Sequence, residues 1–122
     1  MLFEIMIDLG ALSLFVREKP FNATERFVTQ FEVPDTLPYF EGHFPENPIL
    51  PGVAMIDLTV EALKVHCEES RPLVGLRSAK YLGLVQPKHA VSLEISRNSP
   101  DEWQVVWLVE NKKVCDLVLN FG

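Results

Sequence analysis

The chain is short of basic residues and of long apolar runs, and each shortage excludes a class of protein. It has 11 Lys and Arg against 17 Asp and Glu, a net charge of −6 at pH 7, whereas nucleic-acid-binding domains usually present a basic surface. No apolar run reaches the roughly 18 residues of a membrane-spanning helix. The first eight residues carry Glu4 and Asp8 but no basic group, which argues against a signal peptide. We therefore expect a cytoplasmic protein that binds neither nucleic acid nor membranes.

Cysteine is also scarce, since Cys67 and Cys115 are the only two and lie far apart in the sequence. Both stand in apolar surroundings without the spacing of a metal site, which predicts free, buried thiols in a reducing compartment. His66 beside Cys67 has too few neighbouring ligand types to hold zinc. The sequence therefore predicts no metal site.

The length of 122 residues predicts one domain, 1–122, with a core of ordinary size. Apolar and polar residues follow the patterns of β-strands at 26–33, 74–86 (interrupted near Gly83), 90–97, 103–110 and 113–121, the last two joined by Asn111 and Lys112. One long helix is predicted over 52–69, ended by Pro72, and residues 1–24 fit either a helix or a strand. A helix this apolar needs cover on most sides, and an antiparallel sheet curled around it provides that cover. The predicted class is α+β.

The segment from Gly42 to Asp57 carries the most information about function. Its prolines at 45, 48 and 51 each fix φ near −65°, which predicts an extended segment. Pro51 is suited to the first turn of the helix that follows. Unbonded N–H groups at that helix start, beginning with Gly52, can polarise a carbonyl oxygen.

An acid and a base accompany this helix start. Asp57 is the one ionisable residue between Val53 and Val60, and aliphatic surroundings favour the neutral form of a carboxyl group. A histidine titrates near neutrality, so His43 can accept a proton. Taken singly, each residue is more often an ordinary hydrogen-bonding group. Together with the proline segment they favour a catalytic interpretation: removal of a proton from carbon and delivery of one to a leaving hydroxyl.

The pattern H-F-P-x-x-P-x-x-P-G, with Asp57 fourteen positions after His43, resembles the signature of the hot-dog-fold 3-hydroxyacyl-acyl-carrier-protein dehydratases. It is also similar to that of the small dehydratases of aryl-polyene-type pathways. The resemblance implies a hot-dog fold, an antiparallel sheet wrapped around one long central helix. It implies conversion of a (3R)-3-hydroxyacyl thioester to the trans-2-enoyl thioester, without a cofactor, by His43 as base and Asp57 as acid. The residues implied to bind substrate are Phe44, Pro51, Gly52 and Val53.

The resemblance also implies partners. Acyl carrier protein is acidic, so its docking needs a basic patch, and the candidates are Arg77, Lys80 and Lys88, supplemented by His89 and Arg71. An ordinary solvated strand face explains these residues equally well. The implied assembly is a homodimer with the two sheets joined edge to edge and the histidine of one protomer facing the acid of the other.

The sequence departs from the resembled family at one position beside the acid, and two alternative functions stay open. Members of the resembled family usually carry a glutamine four residues after the acid, where this chain has Glu61. A hot-dog acyl thioesterase, in which Asp57 activates water or attacks the thioester, is one alternative function. A non-catalytic partner subunit that keeps the fold is the other. Product analysis, free acid and thiol against enoyl thioester, separates the two enzymes.

Overall fold

The computed structural model describes residues 26–40 and 48–122. Within them lie five strands, a single turn of 3₁₀-helix at Pro38–Phe40 and one long helix, α1, at Gly52–Cys67. The strands are β1 at Phe27–Glu32, β2 at Leu73–Tyr81, β3 at Ala90–Ser99, β4 at Glu102–Val109 and β5 at Lys112–Phe121. They form one sheet in the order β1-β3-β4-β5-β2, with every pair antiparallel. The predicted α+β class is confirmed.

The hydrophobic core lies between one face of this sheet and α1. Strand side chains alternate between the faces, and the buried set includes Val91, Leu93, Ile95, Val105, Leu117 and Leu119. The helix contributes Ala54, Met55, Leu58, Ala62 and Leu63, which recur at the three- and four-residue spacing of one helical face. Fully burying one such aliphatic side chain is worth roughly 1.5–3 kcal/mol, so burial of this face is what fixes α1 on the sheet.

Two indole groups add polar contacts between helix and sheet. Trp107 Nε1 on β4 donates to Thr59 Oγ1 at 2.8 Å, and Thr59 donates in turn to the Met55 carbonyl at 2.7 Å. Trp103 Nε1 donates to Glu69 Oε1, beyond the helix end, at 3.0 Å. These groups are all buried, and a buried donor without an acceptor is costly. The contacts therefore set the rotation of α1 and with it the direction of Asp57.

Two boundary predictions need correction. The helix ends at Cys67, before the predicted 69, because Glu68 adopts a left-handed φ of 57° and the Glu69 N–H bonds back to the Leu63 carbonyl at 3.2 Å. Pro72 lies four residues further on and does not set the end. The last hairpin turns at Glu110 and Asn111, with φ of 52° and 63°, and not at Asn111 and Lys112. Two successive positive φ angles match the right-handed twist of the flanking strands.

Another strand boundary needs correction too. Strand β2 runs from Leu73 to Tyr81, and the predicted strand segment beyond Gly83, up to residue 86, lies in the loop that leads to β3. The strand pairing stops there because the N–H groups of Leu82 and Gly83 both bond to the Val114 carbonyl. Cys67 and Cys115 form no disulfide with each other; Cys115 is buried as predicted, which raises its pKa to about 12, whereas Cys67 is only half-buried. None of the helices in the described ranges has both the length and the apolar character that crossing a membrane requires.

Candidate active site

The start of α1 presents two backbone donors. Pro51 is extended, with φ −67° and ψ 155°, and its carbonyl accepts from both the Ala54 and the Met55 N–H, at 3.0 and 3.1 Å. The N–H groups of Gly52 and Val53 have no acceptor within residues 26–40 and 48–122. No acidic side chain in the first turn competes for them. A carbonyl oxygen placed here meets free donors at the positive end of the helix dipole.

The Tyr81 ring lies directly against Gly52. Its hydroxyl donates to the Gly52 carbonyl at 3.2 Å, and a Cβ built on Gly52 would stand only 2.7 Å from Tyr81 Cζ. Residue 52 must therefore be glycine for the ring to keep this position. Burial is the main cause that raises the pKa of Tyr81, followed by the nearby Cys115. The side chain is 47% exposed, so the ring forms part of the rim around the helix start.

Asp57 stands on the same helix, about 7.5 Å along the axis from Gly52 at 1.5 Å per residue. Cα–Cβ bonds in a helix tilt toward its N-terminus, so the side chain leaves the helix inclined toward the end where Gly52 lies. It is half-buried, and its Oδ2 accepts a hydrogen bond of 3.0 Å from the Tyr39 hydroxyl. One turn further, Glu61 is buried and pairs with the Lys64 ammonium at 3.5 Å.

The structure thus brings together Pro51, Gly52, Val53 and Asp57 from the predicted site. His43 and Phe44 lie outside the described residues. The neutral form of Asp57 stays a prediction. Tyr39 was missed, because the sequence around it reads as a plain turn between prolines. Its one signal was a hydroxyl-bearing aromatic side chain four residues before His43.

The predicted docking residues lie on different parts of the sheet. Arg77 and Lys80 lie on the edge strand β2, whereas Lys88 precedes β3 and its N–H bonds to the Val33 carbonyl after β1, near the opposite edge. Strands are about 4.8 Å apart, so the three strand spacings between β2 and β3 separate these charges by roughly 14 Å across the sheet. Lys80 has no ion pair in the described part of the chain.

The other candidate cations are engaged. Arg77 donates to both oxygens of Glu102 at 3.1 Å, and Lys88 stands 3.8 Å from Asp35. Arg71 binds Glu69 and Asp101, at 2.8 and 2.6 Å. His89 Nδ1 accepts from the Gln86 N–H at 3.0 Å. A carrier protein that used these groups would have to compete with their present partners.

Known proteins resemble this chain in sequence and in fold. The profile of the ApeI-like family, described as ApeI dehydratase, matches residues 19–117. The 3-hydroxyacyl-[acyl-carrier-protein] dehydratase FabZ of Ligilactobacillus salivarius is 28% identical over 108 residues, which cover 80% of this chain and 77% of the relative.

Solved structures share the architecture. The dehydratase heterocomplex ApeI:P from Xenorhabdus doucetiae superposes with a TM-score of 0.68 at 22% identity and covers 84% of this chain and 96% of that one. A hypothetical thioesterase with coenzyme A from Streptococcus pneumoniae gives a TM-score of 0.61 at 10% identity, over 100% and 97% of the two chains. At these identities the likeness supports the fold alone, which is the predicted hot-dog fold. The family profile matches most of the length of this chain, so the chain belongs to the ApeI-like dehydratase family.

Proposed function

We propose that this protein dehydrates a (3R)-3-hydroxyacyl thioester carried by acyl carrier protein to the trans-2-enoyl thioester. The observation that carries the proposal is the pairing, on one helix, of N–H groups at Gly52 and Val53, which have no acceptor in the described ranges, with the carboxyl group of Asp57. Membership of a dehydratase family and the FabZ relatives support the same reaction. Fatty-acid or aryl-polyene synthesis as the pathway, and a cytoplasmic location, remain expectations.

The proposed chemistry is a balanced acid–base elimination. The thioester carbonyl oxygen binds at the Gly52 N–H, which stabilises the negative charge that develops there. His43 takes the C2 proton, and the electron pair of that C–H bond forms the C2–C3 double bond. The C3–O bond breaks as Asp57 gives its proton to the departing oxygen, which leaves as water. Return of the proton from His43 to Asp57 restores both groups.

The helix start and the loop after Tyr81 carry exposed apolar side chains. Val53 is 65% exposed, and Leu82 and Leu84, which follow the Tyr81 ring in the chain, are 59% and 60% exposed. Exposed aliphatic side chains around free polar donors suit an acyl chain attached to a thioester. Val53 contacts the substrate in this proposal, as do Pro51 and Phe44.

The assembly we propose is a dimer joined through β2. This edge strand has no strand neighbour on its outer side among the described residues, and its Val74 and Leu76 are 65% and 40% exposed. An unpaired edge with exposed apolar side chains is a liability for an isolated chain and a suitable surface for a second copy. The site would then be shared, with His43 of one protomer facing Asp57 of the other.

The test is turnover of (3R)-3-hydroxybutyryl-pantetheine by the wild type, His43→Ala and Asp57→Asn. Removal of a general acid or base is expected to lower kcat by about 10²–10⁴-fold. Lys112→Ala serves as the control, because this side chain is exposed in the last hairpin. Turnover near the wild-type level in either site variant refutes the assignment.

The same assay tests the alternatives. Release of free acid and thiol in place of enoyl thioester would indicate a thioesterase, a function that solved proteins of this fold carry. No turnover of any thioester by the wild type would favour a partner subunit without catalysis. Adding acyl-carrier-protein-bound substrate, with Lys80→Glu as the docking variant, tests the partner: a raised KM for the carrier-bound form alone supports docking at this residue.

A further inference from the structure

A general acid must present one particular oxygen to its substrate, and a free carboxyl group does not. The last torsion of an aspartate side chain is broad, so the two oxygens exchange positions unless something holds one of them. In this protein the Tyr39 hydroxyl donates to Asp57 Oδ2 at 3.0 Å. It is the one side-chain hydrogen bond that Asp57 makes within the described ranges, so Oδ1 has no side-chain partner there.

The group that holds the oxygen is itself held. Tyr39 is in the middle of the 3₁₀ turn, which closes through the Phe40 N–H to the Leu37 carbonyl at 3.1 Å. Leu37 is 1% exposed and anchors the turn in the hydrophobic core. Val33, just after β1, is bonded by its N–H and carbonyl to the loop before β3, at 2.9 and 2.7 Å. A side chain on a turn that is anchored in this way can fix the orientation of the group to which it hydrogen bonds.

The hydroxyl acts as a donor and stays protonated. Burial, and then the hydrogen bond to Asp57, raise the pKa of Tyr39 well above its ordinary value of 10. Glu61 is the second carboxyl group near the ring, but within the described residues it accepts its hydrogen bond from the Lys64 ammonium. Among the residues that the structure describes, the phenol hydroxyl therefore donates to Asp57 alone.

We propose that Tyr39 is a positioning residue: its hydroxyl fixes Oδ2 of Asp57, so that Oδ1 faces the C3 hydroxyl of the substrate. This inference rests on the proposed dehydration. Tyr39 takes no proton from the substrate and gives none to it. Its effect reaches the reaction only through the direction in which Asp57 delivers its proton.

A change of leaving group isolates this role. In the 3-fluorobutyryl thioester, His43 takes the C2 proton, the electron pair forms the double bond, and the C3–F bond breaks to release fluoride. Fluoride leaves as a stable anion and needs no proton from Asp57. Within one protein, the hydroxy substrate therefore measures elimination that needs the proton of Asp57, and the fluoro substrate measures elimination that does not.

The experiment compares the wild type, Tyr39→Phe, Asp57→Asn and the double variant on both pantetheine thioesters. Loss of one hydrogen bond to an ionisable group is expected to lower kcat for the hydroxy substrate about tenfold, or about 1.4 kcal/mol, with KM unchanged. In the Asp57→Asn background, Tyr39→Phe is expected to add nothing, since its partner is already lost. Elimination of fluoride is expected to stay within about twofold of wild type in the Tyr39→Phe protein.

The outcomes separate this inference from the proposed function. If Tyr39→Phe slows both substrates equally, or slows the Asp57→Asn protein further, the hydroxyl acts elsewhere and the inference is overturned. If Tyr39→Phe leaves the hydroxy substrate unaffected while Asp57→Asn abolishes its turnover, the inference fails and the dehydratase assignment stands. If the wild type does not form enoyl thioester, or Asp57→Asn retains full activity, the proposed function fails and the inference with it.

Discussion

Replacing Thr59 with valine tests the polar link that orients α1. Threonine and valine have nearly the same shape and similar helix propensity, so the change removes one oxygen and little else. That oxygen is fully buried, accepts from Trp107 Nε1 at 2.8 Å and donates to the Met55 carbonyl at 2.7 Å. The variant leaves an indole N–H buried without an acceptor, which costs about 1–3 kcal/mol. We expect a loss of about 2 kcal/mol in the free energy of unfolding.

The chain supplies a matched control for this change. Thr29 is also a buried threonine, but its hydroxyl has no hydrogen-bond partner in the part of the chain that the structure describes. Thr29→Val should therefore change the free energy of unfolding by less than about 0.5 kcal/mol, or stabilise the protein slightly, because an unpaired buried hydroxyl is removed. The two variants delete the same atom from the same residue type and differ in what that atom binds.

Guanidinium unfolding at one fixed protein concentration, followed by tryptophan fluorescence and circular dichroism, measures both variants. A fixed concentration is needed because stability depends on concentration in an oligomer. In a domain of this size the Thr59→Val loss corresponds to a fall in Tm of about 6–10 °C. Trp107→Phe completes a double-mutant cycle, with an expected coupling of about 1–2 kcal/mol. Equal stability of the Thr59→Val and Thr29→Val proteins would refute the reasoning.

Three further predictions concern the helix start, the pH dependence of stability and the sheet edge. Gly52→Ala places a methyl group against the Tyr81 ring and is expected to lower kcat/KM about tenfold, or about 1.4 kcal/mol, with little change in Tm; unchanged kinetics would contradict the close approach. The guanidinium of Arg71 beside Glu69 lowers the pKa of that carboxyl from 4.5 to about 2. Ionised Glu69 therefore makes its full contribution to the free energy of unfolding above pH 4.5, and this contribution is lost as the pH falls toward 2. Because Arg71 is partly exposed, we expect this stabilisation to be about 1–2 kcal/mol. It is measured as the part of the difference in unfolding free energy between pH 6 and pH 2 that is lost in Glu69→Gln. If the variant shows the same dependence on acid as the wild type, this ion pair is not its cause. Leu76→Lys on β2 is expected to yield monomers by light scattering, and dimers of unchanged affinity would place the interface elsewhere.

The β-strands were predictable because side-chain alternation is a local property. Val91, Leu93 and Ile95 alternate with polar residues in the sequence, and the structure buries these three against the helix. The ends of the helix and of the last hairpin strands were less predictable, because residues with a left-handed backbone conformation set them. Glu68, Glu110 and Asn111 take positive φ through backbone hydrogen bonding and strand twist, and two of the three are glutamates, which carry no such signal in sequence.

The candidate site also has a part that could be predicted from the sequence and a part that could not. Asp57 and Gly52 could be proposed as site residues because their spacing along one helix follows from the chain itself. Tyr39 was not, since its contact with Asp57 joins residues eighteen positions apart through packing of the 3₁₀ turn. The separation of Lys88 from Arg77 likewise depends on strand order, which no local pattern encodes.

The sequence by itself determined that a histidine, a proline-rich segment, a glycine helix start and a helical acid follow one another at fixed spacing, because covalent order and helix geometry need no tertiary contact. Tertiary structure alone decided which groups touch that acid. It brought a phenol to the carboxyl group and an aromatic ring to the glycine, and it placed the charges predicted for docking on different parts of the sheet. Such contacts depend on how the elements pack against each other, and packing is a property of the whole chain.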